Sequence, residues 1–185
     1  MRVNVFVLNT GRCGSFSFSV ACRYITNFSS SHESLKNELG DRRFAYPRNH
    51  IEVDNRLSWM LGRMENHYGD FARYIHLKRN RDDVAASYYN RLAESRGIVG
   101  TYHWVVPGAS IGIDLCYDMI DTLTANIEYF LSDKTHVMEI QIEKAPEQFP
   151  KFWDWIGAQG NLDKAVQSFS HKRNVSKVRY DATEV

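Results

Sequence analysis

Hydrophobic and polar positions alternate along the chain in blocks, and the blocks change period. Val3 to Leu8 reads V-N-V-F-V-L, a short β-branched run that predicts a buried strand. Asn9 to Ser15 is a turn-rich stretch with two glycines. Phe16 to Phe28 then places Phe18, Ala21, Cys22 and Ile25 at helical spacing. Ser29-Ser30-Ser31-His32-Glu33 reads as a polar junction, and residues 34–50 as irregular or loosely helical. A short strand is expected from His50 to Asp54, and a helical stripe at Leu57, Met60, Leu61 and Met64. Ala72 to Leu77 predicts another strand, followed by a helix from Asp82 to about Arg96, with carboxylates in its first turn where the helix dipole favours them. Gly97 to Gly112 is loop-rich and Ile113 to Leu131 a long amphipathic helix. His136 to Ile142 is a strand; Phe149–Ile156 and Leu162–Phe169 are helices.

Strand and helix in alternation predict an α/β chain with a parallel sheet covered on both faces. The 185 residues fit one domain, and 43% hydrophobic residues suffice for a core. With 23 Lys+Arg against 22 Asp+Glu, the balance argues against a general nucleic-acid or membrane-surface binder. No apolar run reaches the roughly 18 residues a membrane span needs. The N-terminal stretch is too short to read as a signal peptide. Three cysteines without a CxxC pair make a disulfide scaffold or cysteine-rich zinc site improbable, so a reducing cytoplasm is the expected location. The seven histidines form no HxH, HxxxH or HExxH pattern, and no metal is expected.

The first loop has the chemistry of an anion site. The first 32 residues hold three arginines and no acid. Unpaired N–H groups and the positive end of a helix dipole favour an anion after the first strand. Gly11 and Gly14 allow close approach, while Arg12, Ser15 and Ser17 add donors. GxxxxGK[ST] and GxGxxG are both absent, and no cysteine has an arginine six residues on. The bland alternative is a tight turn with a surface arginine. A second basic element, Arg73, Lys78, Arg79 and Arg81, gathers at and beyond the 72–77 strand. If a helix follows, Ser87 falls in its second turn, where it and Arg79 could share a phosphate at the ligand-binding edge of an open sheet; a purely structural role is the alternative.

Together these elements resemble the sulfotransferase family, which uses 3′-phosphoadenosine 5′-phosphosulfate (PAPS). Its first loop often reads basic residue, small residue, Gly, Ser or Thr; here Arg12-Cys13-Gly14-Ser15 matches. Its second motif is Arg, seven residues, Ser; here Arg79-Asn80-Arg81-Asp82-Asp83-Val84-Ala85-Ala86-Ser87-Tyr88 matches. The resemblance covers the nucleotide-binding half well and the rest loosely. It implies a single domain over residues 1–185 with a three-layer α/β/α, P-loop-like fold closer to bacterial or carbohydrate-type members. It implies that Arg12, Cys13, Gly14, Ser15, Phe16 (through its amide) and Ser17 hold the 5′ end of the donor. Arg79 and Ser87 would hold the 3′-phosphate, and a late basic loop, Arg173 among His171, Lys172, Lys177 and Arg179, would close over it. Many cytosolic members carry Lys where this chain has Arg12. Arginine holds its proton, which makes Arg12 a stabiliser of charge rather than a proton donor.

Sulfuryl transfer makes demands like those of phosphoryl transfer, including a base for the acceptor's proton. The His32-Glu33 pair is the foremost candidate, with Glu33 as the base; a polar cap is the alternative. Asp54 is a second candidate, equally suited to capping the helix after it. The expected activity is sulfuryl transfer from PAPS to a hydroxyl or amine of a small-molecule or carbohydrate acceptor. Tyr102-His103-Trp104 could line the acceptor pocket. Two other readings stay open: a non-catalytic nucleotide- or anion-binding protein of the same fold, and a serine hydrolase using Ser110 in Gly108-Ala109-Ser110-Ile111-Gly112.

Overall fold

The computed structural model describes residues 3–92 and 97–170. Five parallel strands form one sheet in the order β2-β3-β1-β4-β5, where β1 is Val5–Leu8, β2 Ser29–His32, β3 His50–Val53, β4 Arg73–Lys78 and β5 Val137–Gln141. Alternation along the central strand explains the layering. Val5 and Val7 pack into one core with Phe18, Ile75, Phe149 and Phe152. Phe6 and Leu8 face the opposite way and join Leu57, Met64, Tyr74 and Phe130. Both faces of β1 are therefore apolar and covered, as a parallel strand requires.

Seven helices flank the sheet among the described residues: α1 Ser15–Cys22, α2 Leu61–His67, α3 Arg81–Leu92, α4 Gly97–His103, α5 Ile113–Leu131, α6 Ala145–Ile156 and α7 Leu162–Gln167. The second half of the chain follows its periodicity closely, and α5 has the bounds its stripe predicts. Three expectations are corrected. The first helix ends at Cys22, six residues short of Phe28. The polar junction at Ser29–His32 is an edge strand, recruited by backbone pairing to β3 in spite of its side chains. The loop after Gly97 opens with α4, because Val99 and Tyr102 find burial in the core.

Strand order locates the ligand edge. From β1 the chain crosses to β2 on one side of the sheet, and from β4 it crosses to β5 on the other. The loops after these neighbouring strands diverge and leave a crevice between them, the position where open α/β sheets bind ligands. Residues 9–14, 33, 54–56 and 79–80 all follow the carboxyl ends of strands and border that edge.

Candidate functional site

The loop after β1 is built on left-handed backbone. Gly11 has φ 84°, Arg12 φ 56° and Gly14 φ 73°. A Cβ at Gly11 would stand 2.0 Å from the Tyr88 hydroxyl, and one at Gly14 would stand 2.5 Å from Ile142. Tyr88 reaches the loop because its hydroxyl donates to the Thr10 carbonyl at 2.7 Å. Helix α1 opens directly at Ser15, with Gly14 as its cap and no acid in its first turn. Its first intrahelical bond of the α type runs from Phe18 N–H to the Gly14 carbonyl, so the preceding amides are left for an anion.

The second motif folds against this loop. Arg79 donates to the Arg12 carbonyl at 3.1 Å, and Arg12 Nε donates to Ser87 Oγ at 2.8 Å. Three side chains from two segments thus meet beside one glycine turn. Asn80 caps α3, its Oδ1 accepting from the Asp83 N–H at 3.1 Å, so Ser87 rides on a helix anchored at the strand end. Arg12 loses proton affinity through burial and through the nearby Arg91 and Arg79 guanidiniums. Such crowding of cations favours a bound anion.

Arg73 does not belong to this cluster. It stands at the opposite, amino end of β4, donates to the Trp155 carbonyl and lies 4.9 Å over the Trp155 ring. Lys78 pairs with Glu128 and Glu139, Arg81 with Asp121, and Arg79 itself with Asp83 at 3.5 Å; Lys78 and Arg81 line the same cavity as Thr10, Cys13 and Arg79. Cys13 turns its thiol into the core, bonded to the Gly11 carbonyl at 3.2 Å, and burial pushes the thiol up. Only its backbone is available to a ligand. The Phe16 ring packs edge-on against His32, leaving its amide for the site, and Ser17 is half-buried in the first turn of α1. Arg173 and its basic neighbours lie outside the described residues.

On the other side of the loop, the His32 imidazole lies 3.2 Å from Ser15 Oγ. Burial lowers the His32 pKa, which favours the neutral ring. Glu33 follows in left-handed backbone, φ 53°, and its carboxylate meets Arg56 at 2.5 Å and Lys36 at 3.6 Å. Asp54 is fully buried. It accepts from the Arg56 N–H at 2.8 Å and from Arg43 at 2.5 Å, and so works as the cap of a 3₁₀ turn over Asn55–Trp59. Of its two expected roles, base and cap, the geometry shows the cap. Ser110 is exposed, with α4 rather than a strand before it, so the nucleophile-elbow context is missing. Tyr102 is buried with its hydroxyl on Asp118, whereas Trp104 is 81% exposed.

Three residues at the site went unread in the sequence. Asn55 brings its Nδ2 within 3.0 Å of where a Gly11 Cβ would sit, Arg56 pairs with Glu33, and Arg91 adds charge near Arg12. Arg91 had a signal, since it lies four residues after Ser87 and shares its helix face. Asn55 and Arg56 had one too: they follow a strand at the ligand edge.

No cluster of His, Cys, Asp or Glu among the described residues is arranged for a metal. No described helix is long and apolar enough to cross a membrane. The three cysteines are unpaired and buried. No family model and no curated protein matches the sequence. Among solved structures, mouse sulfotransferase SULT7A1 complexed with PAP superposes with a TM-score of 0.62 at 16% identity, over 90% of this chain. The chain spans 64% of the length of that protein. The likeness is one of architecture, and the three-layer α/β/α arrangement with its parallel sheet is that of a sulfotransferase-type, P-loop-like fold.

Proposed function

We propose that the chain is a PAPS-dependent sulfotransferase. The carrying observation is the junction of Arg12, Arg79 and Ser87 beside a left-handed glycine loop at the switch point of the sheet. In this reading the amides of residues 13–17, with the Ser15 hydroxyl, hold the 5′-phosphosulfate. Arg79 and Ser87 hold the 3′-phosphate, and Arg12 compensates charge on the phosphate that leaves. The acceptor oxygen or nitrogen forms a bond to sulfur as the bond from sulfur to the 5′-phosphate oxygen breaks. The acceptor's proton passes to the Glu33 carboxylate, and 3′,5′-diphosphoadenosine (PAP) departs. His32, neutral and beside Ser15, orients the group in transit. Arg12 and Glu33 are two of only three non-glycine residues with positive φ among those described, and such strain collects at functional sites.

Binding of PAP tests the donor site. At a hundredfold excess over Kd, a ligand specific for the folded state stabilises it by about 2.7 kcal/mol. PAP is expected to raise Tm more than AMP or ATP does, and Arg79→Ala to abolish the difference. Equal shifts from PAP and AMP would refute the 3′-site. Glu33→Gln is expected to lower PAP release from PAPS by two orders of magnitude or so, in the range of a general base, with PAP affinity retained. A non-catalytic nucleotide binder is the second reading, favoured by the engagement of Glu33 with both Arg56 and Lys36. It predicts the same PAP shift with no turnover in the parent chain.

A further inference from the structure

Strand β3 and the residue after it place two carboxylates, Glu52 and Asp54, two positions apart, and both are fully buried. The strand lies between β2 and β1, where apolar side chains would serve stability better than buried charge. Each carboxylate is saturated with partners instead. Ser34 donates to Glu52 twice, from its N–H at 2.9 Å and from its hydroxyl at 2.6 Å. His50 Nε2 lies 2.9 Å from Glu52 Oε2, and His50 Nδ1 lies 2.8 Å from Ser29 Oγ. Glu52 thereby grips both ends of β2: Ser29 where it starts, and Ser34 just beyond Glu33. Asp54 holds the Arg56 N–H with one oxygen and the buried Arg43 guanidinium with the other. Arg43 in turn donates to Tyr46, whose ring stacks on His50 and joins the two halves.

The need for this device is visible in β2. Its Ser-Ser-Ser-His sequence carries no aliphatic side chain, so hydrophobic burial does nothing to fix where Glu33 sits. We infer that Glu52 and Asp54 are positioning residues for the acceptor side of the site. Glu52 sets the turn that presents Glu33, Asp54 sets the backbone that presents Arg56, and the two side chains meet at 2.5 Å as a result. This rests on the reading of Glu33 as the base.

Glu52→Gln in the full chain is the test, because an amide replaces one acceptor by a donor opposite Ser34 or His50. The first readout is the His32 ring resonance in histidine-labelled protein, assigned by its loss in His32→Gln. It is expected to shift in Glu52→Gln, since His32 lies in the gripped strand. PAP affinity is expected to stay within twofold of the parent, while PAP release from PAPS falls at least tenfold. In a Glu33→Gln background, Glu52→Gln is expected to cause no additional loss of PAP release. A purely structural carboxylate would instead lower stability without that dependence on Glu33. An unmoved His32 resonance, or a full additional loss in the Glu33→Gln background, overturns the inference. A parent chain that neither binds PAP nor releases it from PAPS defeats the donor reading and with it the role of Glu33 on which this inference rests, whereas an unmoved His32 resonance in a parent chain that turns over defeats the positioning role alone. Should Glu52→Gln not fold, Ser34→Ala removes only the hydroxyl bond; the same resonance is expected to move, and its constancy would overturn the proposal.

Discussion

Gly11 shows how a single residue sets the shape of the anion loop. Its φ of 84° is open to glycine at little cost, and the space a Cβ would need is taken by the Tyr88 hydroxyl at 2.0 Å. That hydroxyl cannot retreat without giving up the Thr10 carbonyl. Gly11→Ala is therefore expected to lower stability by about 1–3 kcal/mol through backbone strain, with the clash adding to it. Urea unfolding measures this, and an unchanged midpoint would contradict the geometry. Arg12 beside it tolerates left-handed backbone as an arginine, because its carbonyl is held by Arg79 and its side chain by Ser87. The motifs assign Arg12 to one end of a nucleotide and Arg79 with Ser87 to the other, whereas in the fold Arg12 bonds Ser87 directly and Arg79 holds the Arg12 carbonyl. Sequence proximity groups Arg73 with Lys78, Arg79 and Arg81, although a strand of six residues carries its two ends to opposite edges of the sheet.

Elements were legible in proportion to how far hydrophobic periodicity governs them. Helix α5 and strands β1 and β4 bury apolar faces, so their patterns predict them closely. Strand β2 was missed because it has no such face; its existence depends on backbone bonds to β3 and on the buried Glu52 network. Asp54 shows the same limit at an element boundary. Its sequence context suited a base as well as a cap, and the choice was made by Arg43, which arrives from a separate 3₁₀ turn over Gly40–Phe44. Removing Asp54 strands that guanidinium in the interior. Asp54→Ala is expected to cost about 3–5 kcal/mol, read from chemical denaturation. A loss below 1 kcal/mol would mean that Arg43 finds another partner or water.

At the scale of the whole molecule, pH provides an independent check on the packing. His76, on β4 under α5, is pushed down to about 4 by burial, with Lys78 acting in the same direction. The folded protein therefore refuses a proton that the unfolded chain accepts below about pH 6.5. Above that pH the residue is neutral in both states and contributes no pH dependence. As pH falls from 6.5 towards 4, it destabilises the fold by up to about 3 kcal/mol. His76→Gln is expected to flatten the loss of stability between pH 6.5 and 4.5 relative to the parent chain, measured by urea unfolding at each pH. Parallel curves would show that His76 is not buried as described.

The amino-acid sequence by itself determined the alternation of strands and helices, the glycine loop and the two short motifs, because each rests on interactions among residues close along the chain. Only the tertiary structure decided strand order, the left-handed loop packed on Tyr88, and the meeting of Glu33 with Arg56. These depend on contacts between distant segments, whose geometry follows from how the layers pack and which buried charges must find partners.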